Sequence, residues 1–487
     1  MNHDLALAIF RSLAVAGPPE KKLRRLKSFS NRDWQRTFPW LDESGLALEL
    51  LNVLDRANAR GILPPAIEKD LSVRLANNRQ RLAAMRGEFD LINCAFEGAA
   101  VEYAVLKGFS VVPAYTPDPS LRSQHDYDYL VHTSSVETAR QVLRAAGFHE
   151  KAQRPGLDPS DTIEFTGGLS GCSASGEEWY SARIPRRVEL HLSLWQYDRD
   201  GISLQTPKDA LSRKRYASWE GLRFPVLAGN DALLFHCLHA FHHILDYWCR
   251  TSCFLEIARF LAGRASDREF WDGFRSVVNV AGNLPDIVGL VFRLASELFE
   301  APIPQGFGLA GGNRRSRALD VWVRRFGIEW ALARYPGSKL SLLLHQEFVE
   351  NPWAWREIRR RRLLPFHGLD RAAEPLEPNM KSKWRAERQQ WRFAIARVRH
   401  HLMGLATYAR HAPGWQRMLR RRGVGTAWRP GSVATPGSRT ASSRKKSHGL
   451  THSEESRAGR PTAPVFSVRD RVPDADCLLP TEKGPAQ

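Results

Sequence analysis

The sequence predicts an α+β protein, a small α/β unit set between helical segments. Three observations predict it. Apolar residues recur at helical spacing through much of the first hundred residues. Near residue 101 the period shortens to alternation. After residue 230 long apolar stretches at helical spacing return. With 487 residues, 43% hydrophobic and 25% charged, the chain can build real cores, which excludes a wholly disordered protein.

Residues 1–100 read as an N-terminal helical region. It opens on the apolar run Leu5–Val15, preceded by Asp4 and interrupted by Arg11, a pattern that argues against a secretory leader. Leu46–Ala59 carries apolar residues at helical spacing and stops at Gly61. Leu71–Ala100 places Leu75, Leu82, Met85, Phe89, Ile92 and Phe96 on one broad stripe. The α/β core then spans 101–228. Val101, Tyr103 and Val105 alternate with smaller or polar residues and form a short strand closed by Gly108. Tyr127–Val131 reads as a second strand and Val136–Ala146 as a helix ended by Gly147. Ile163–Phe165 and Val188–Leu194 read as further strands, with the Gly/Ser-rich Gly167–Gly176 as a loop between them.

A helical C-terminal region covers 229–428. Its helices are expected at Asp231–Tyr247, Cys253–Leu261, Leu284–Phe299 and Ser316–Tyr335, followed by a basic helix from about Trp384 to Leu419. Residues 429–487 are rich in Ser, Pro, Gly, Thr and basic residues and read as a disordered basic tail. The balance of 71 Lys+Arg against 52 Asp+Glu gives +19, which permits contact with nucleic acid, nucleotides or anionic membrane and selects none of them. No stretch is long and apolar enough for a transmembrane helix. The six cysteines form no CxxC pair, so a cytoplasmic protein with reduced thiols is expected.

The most informative segment is His125-Asp126-Tyr127-Asp128-Tyr129-Leu130-Val131. On a strand, Asp126 and Asp128 project from the same face. Two carboxylates that close repel unless a proton or a cation intervenes, and hard oxygen ligands of this kind suit Mg²⁺ or Mn²⁺. In Val188-Glu189-Leu190-His191-Leu192-Ser193-Leu194, Glu189 and His191 share the face opposite the apolar residues. Glu189 would join the aspartates if the two strands are neighbours. Lys107-Gly108 ends the first strand with a point charge for phosphate and a residue that lets backbone approach closely. Arg122 precedes Asp126 by four residues and could meet a phosphate or a carboxylate. The GxxxxGK[ST] spacing of a Walker A loop is absent. His236, His239 and His243 share a helical face, with Cys253 and Glu256 on the next helix. They are either satisfied core histidines, lining of the cleft, or a zinc site. Arg356–Arg362 and Arg417–Arg422 are dense in Arg, and a solvated helix face outweighs nucleic-acid binding there.

In order, Leu106-Lys107-Gly108, Tyr115, Leu121-Arg122 and Asp126-Tyr127-Asp128-Tyr129-Leu130-Val131 resemble the signature of a bacterial family, the uncharacterised nucleotidyltransferases, within the DNA polymerase β-like superfamily. Glu189-Leu190-His191 fits the family's later acidic strand, His239-Ala240-Phe241-His242-His243 its paired histidines, and Glu256-Ile257-Ala258-Arg259 the motif of the next helix. The resemblance covers about residues 45–265. Glu189 stands where the family more often has Asp, His125 where Gly is common, and Pro113 in a segment expected to be helical. The resemblance implies a small mixed sheet flanked by helices, two Mg²⁺ (or Mn²⁺) ions, and transfer of a nucleotidyl group from a nucleoside triphosphate. In that reading Asp126, Asp128 and Glu189 are the catalytic, metal-binding residues. Lys107, Gly108, Arg122, His191, His239 and His243 line the substrate. The acceptor stays open: a sugar phosphate, a small molecule, a protein side chain or an RNA end. Two other readings compete, a non-catalytic binding protein of the same fold and a basic nucleic-acid-binding protein.

Overall fold

A computed structural model describes residues 1–151, 162–167, 179–182, 186–195, 201–246, 249–279, 282–309, 312–334, 337–364 and 380–424. The tail expected over 429–487 and most of the Gly/Ser-rich loop lie outside the described residues. Seven described strands form one mixed sheet: β1 (Tyr103–Val105), β2 (Asp126–Val131), β3 (His149–Glu150), β4 (Thr162–Gly167), β5 (Arg186–His191), β6 (Arg215–Trp219) and β7 (Leu222–Val226). Their order is β3-β4-β5-β2-β1-β7-β6. β2 runs parallel to β5 and antiparallel to β1, and β1 runs parallel to β7.

The alternation read from sequence sets the two faces. Tyr127, Tyr129 and Val131 of β2, Tyr103 and Val105 of β1, and Val188 and Leu190 of β5 are all buried in one cluster. That cluster is completed by Met85, Phe89, Ile92 and Phe96 of the helix Pro65–Gly98 and by Ala139 and Leu143 of the helix Val136–Ala145. The tyrosine hydroxyls find partners there. Tyr127 Oη lies 2.8 Å from the Glu88 carboxylate, and Tyr103 Oη lies 2.9 Å from Asn93 Oδ1. On the other face Leu106 and Leu130 join a larger core with the helices Gly229–Leu245, Ser252–Gly263 and Leu284–Phe299. The sheet is thus a layer between two helical layers.

Several boundaries differ from expectation. The Pro65–Gly98 helix starts before Leu71, with Pro65 in its first turn, where a missing N–H costs nothing. β5 ends at His191 rather than Leu194, because Leu192 to Trp195 bend away. Between β1 and β2 the chain makes only short 3₁₀ turns, Gly108–Val111 and Pro119–Leu121, in the stretch where the family resemblance implied a helix around Pro113. The β6–β7 hairpin has no counterpart in the sequence reading. Its Glu220-Gly221 turn takes positive φ at both positions, the geometry that twists a two-residue hairpin correctly. The run Leu5–Val15 falls on a buried helix, His3–Leu13, capped by Asn2. Its Phe10 packs edge-on against Trp40 and Phe299.

Candidate active site

The parallel register of β2 and β5 brings the predicted acids together. Asp126 pairs with Arg187 and Asp128 with Glu189, so the carboxylates at 126, 128 and 189 rise from one face. His191 stands one pleat beyond Glu189. Its Nε2 is 3.1 Å from Asp128 Oδ1 and 3.6 Å from Glu189 Oε2. One ligand atom from each of Asp128, Glu189 and His191 lies within 4.8 Å of the others, a spacing that a single metal ion could bridge. Asp126 shares the face but stands outside this trio. The clustering therefore runs through His191 rather than through Asp126.

Lys107, at the end of β1, reaches across the same face. Its Nζ lies 2.8 Å from Asp128 Oδ1 and 3.2 Å from His239 Nε2. Both Lys107 and Asp128 are buried. Burial opposes the charge on Lys107, but Asp128, Asp126 and Glu189 outweigh it and raise its pKa. Burial would likewise raise Asp128. The Lys107 charge and the His191 hydrogen bond outweigh that and hold Asp128 below the usual carboxylate range. Glu189 goes the other way, pushed up by burial and by the Asp128 and Asp126 charges, which outweigh the pull of Lys107. The repulsion expected of a bare carboxylate cluster is thus relieved by an ammonium and by a carboxyl that holds its proton.

One buried oxygen is left over. Asp128 Oδ1 serves Lys107 and His191, while Asp128 Oδ2 has no hydrogen-bond partner among the described residues. An unmet buried acceptor of this kind costs roughly 1–3 kcal/mol.

Arg122 does meet a carboxylate. Its Nε lies 3.2 Å from Glu256 Oε1, and both side chains are buried. The loop that delivers Arg122 and Asp126 is clamped from outside. Asn78 Nδ2 donates to the carbonyls of Ser120 and Arg122 at 2.7 and 3.0 Å. Arg250 donates to the Ser123 carbonyl at 2.5 Å, and Arg81 contacts His125 at 2.9 Å. Gly108 takes φ +72°, and the space a Cβ would fill is occupied by the Gln124 amide. That amide donates to the Asp126 carbonyl at 2.9 Å. The glycine therefore makes room for the side chain that supports the start of β2. Asn78, Arg81, Gln124 and Arg250 were not singled out from sequence. The available signal was an Asn and an Arg on the buried face of a helix.

The histidines separate into two sets. His236 packs its ring on Tyr115 at 4.2 Å, and burial takes its pKa down to about 3. His239, His243 and Cys253 gather, with one ligand atom each within 4.8 Å. Burial and the Lys107 charge keep His239 neutral. An ammonium can only donate, so His239 Nε2 accepts from Lys107 and the ring proton sits on Nδ1, 3.9 Å from Cys253 Sγ. Of the residues in the zinc option read from sequence, His239, His243 and Cys253 are brought together, while His236 packs on Tyr115 and Glu256 pairs with Arg122. His239 also orients Lys107.

Residues 30–300 match the sequence model of a family described as an uncharacterised nucleotidyltransferase. No curated protein matches the chain. The match spans more than half of the sequence and contains every residue of the cluster. The chain belongs to this nucleotidyltransferase family, and the mixed sheet between helices is the fold that the resemblance implied.

Proposed function

We propose that the β2–β5 cluster transfers a nucleotidyl group from a nucleoside triphosphate to an acceptor hydroxyl, with Mg²⁺ or Mn²⁺ held by Asp128, Glu189 and His191. The observation that carries this reading is the unmet Asp128 Oδ2, buried beside a second carboxylate. A cation satisfies such an oxygen. The two carboxylates suit either ion, and the imidazole favours Mn²⁺ over Mg²⁺. Thr162 Oγ1, 3.3 Å from His191 Nδ1, can accept a hydrogen bond from that nitrogen when Nε2 turns to a ligand.

In the transfer, the acceptor oxygen bonds to the α-phosphorus while the bond to the α–β bridging oxygen breaks. Pyrophosphate leaves with the electron pair. The acceptor's proton would pass to Glu189 in its carboxylate form. Lys107, oriented by His239, supplies fixed positive charge toward the triphosphate. Arg122, set by Glu256, does the same from the loop before β2. Asp126, on the same face, is the residue that remains to share a second cation with the substrate phosphates. When bound, the cation neutralises phosphate charge as it builds and favours the deprotonated form of Glu189. The flanking segments 1–100 and 229–428 serve this core, the latter through His239 and Glu256.

The test uses the purified chain with each of four nucleoside triphosphates, Mg²⁺ or Mn²⁺, and cell extract as the source of acceptor. Pyrophosphate release and transfer of an α-phosphate label should require the divalent ion and stop in EDTA. Titration calorimetry with Mn²⁺ reads cation binding on its own, and absence of binding would remove the reading.

The Lys107–Asp128 contact favours a second reading. An ammonium already neutralises Asp128, as would suit a relative that binds nucleotide without chemistry. Nucleotide binding without cation binding and without pyrophosphate release would select it.

A further inference from the structure

We propose that the outer face of the C-terminal helix Met380–Arg421 docks on the surface of an anionic lipid bilayer. Besides Met403, five large apolar side chains on this helix face solvent: Trp384 at 69% exposure, Trp391 at 71%, Ile395 at 65%, Val398 at 58% and Leu402 at 61%. Their spacing keeps them on a single stripe, about 27 Å long at 1.5 Å per residue. The opposite face is the one that packs on the protein. Trp415 and Leu419 are buried, Phe326 meets the rings of His411 and Trp415 at 5.2 and 6.1 Å, and Gly404 lies against Lys339. The apolar stripe is therefore not the helix's own docking face.

The charge beside the stripe selects the occupant. Arg388, Arg392, Arg399, Arg410 and Arg417 are exposed and follow one flank of it. The helix has 42 residues with Glu387 as its only acid, against eleven Lys and Arg. A second copy of the chain laid stripe to stripe would bring two such arginine flanks together. A nucleic acid would use the arginines and could stack bases on the indoles, but it offers nothing to Ile395, Val398 and Leu402. A bilayer with anionic headgroups takes both parts, burying the apolar stripe at the acyl boundary while phosphates meet the flank. Tryptophan, apolar with one polar N–H, suits that interface. No described helix is long and apolar enough to cross a membrane, so the geometry is that of a helix lying in the surface.

The experiment uses the full chain with vesicles of phosphatidylcholine and phosphatidylglycerol at about 7:3, and of phosphatidylcholine alone. Co-sedimentation and a blue shift of Trp emission are expected with the anionic vesicles, fading at high salt. The variant Trp384→Ser/Trp391→Ser/Leu402→Ser should bind at least about tenfold more weakly. Arg388→Gln/Arg392→Gln/Arg399→Gln should lose about a hundredfold. All six side chains are exposed, so both variants should melt as wild type does. Retained vesicle binding by the first variant would overturn the proposal by assigning the lipid contact elsewhere. So would failure of the wild type to bind either vesicle. A wild-type dimer that the first variant converts to monomer, or oligonucleotide binding lost in that variant without any vesicle binding, would overturn it in favour of a second copy or a nucleic acid.

Discussion

Replacing Asp128 by Asn tests the cluster on two axes at once. The change keeps the side-chain shape and removes the charge that faces Lys107 at 2.8 Å and His191 at 3.1 Å. Asp128 is 2% exposed and Lys107 7%, so the pair is screened little by water. Removing one partner of such a buried pair costs about 3–5 kcal/mol. The lower end applies, because Glu189 and Asp126 still face the Lys107 ammonium. For a body of this size about 3 kcal/mol lowers Tm by roughly 3 °C. Sequence alone suggests the reverse, a variant as stable as wild type once two repelling carboxylates become one. The ion pair with Lys107 turns that expectation around. Activity should fall about a hundredfold or more, since one lost electrostatic contact at a transferring phosphate is worth roughly 3–4 kcal/mol. Melts in EDTA and Mg²⁺-dependent pyrophosphate release are measured on both proteins. An unchanged Tm would show that the pair contributes nothing to the fold. Equal activity would refute the role given to Asp128.

Glu189 gives a pH signature. Its folded pKa is raised, so the native state holds a proton that the unfolded state has lost, and stability falls as pH rises from the ordinary value of 4.5 toward the raised one. Glu189→Gln should abolish that decline in metal-free melts at pH 5 to 9, and a parallel decline in both proteins would count against it. Arg122→Ala leaves Glu256 buried without its cation. A loss of about 3–5 kcal/mol is expected in chemical denaturation, with Arg122→Lys in between. Gly108→Ala forces a left-handed residue and displaces the Gln124 amide. About 1–3 kcal/mol of stability and a measurable rise in the KM for nucleotide are expected, and unchanged values for both would mean the loop yields freely.

The parts of the site carried by local pattern were legible. Asp126 and Asp128 could be put on one face, and Glu189 with His191, because a strand repeats every two residues and the tyrosines, Val188 and Leu190 mark the buried side. The hairpin β6–β7 was not legible. Arg215–Trp219 is an edge strand with mostly exposed side chains, so it has no alternation to read. Its turn is built on Glu rather than the usual Asn or Asp. Partner choice was out of reach for a different reason. Lys107 and His239 are 132 residues apart, and Arg122 and Glu256 are 134 apart. No spacing rule connects groups at that separation.

Those two long-range pairs explain why the helical segments and the sheet share a site. Each one joins a cation delivered from the first half of the core to a group on a helix after residue 229. Lys107 and Arg122 are long, flexible side chains that would otherwise turn toward solvent or collapse onto Asp126 and Glu189. His239 accepts a hydrogen bond from Lys107 and Glu256 accepts one from Arg122, which fixes where each positive charge stands in the folded chain. In the proposed transfer, holding these charges in place through folding would remove a reorganisation step. It also predicts an ordering among variants. His239→Ala should loosen Lys107 and lower kcat for pyrophosphate release while leaving Mn²⁺ affinity nearly unchanged, because His239 touches Lys107 and not the carboxylates. Asp128→Asn should lower both. If His239→Ala weakened Mn²⁺ binding as much as Asp128→Asn does, His239 would belong to the cation site itself, and its assignment as the group that orients Lys107 would fail.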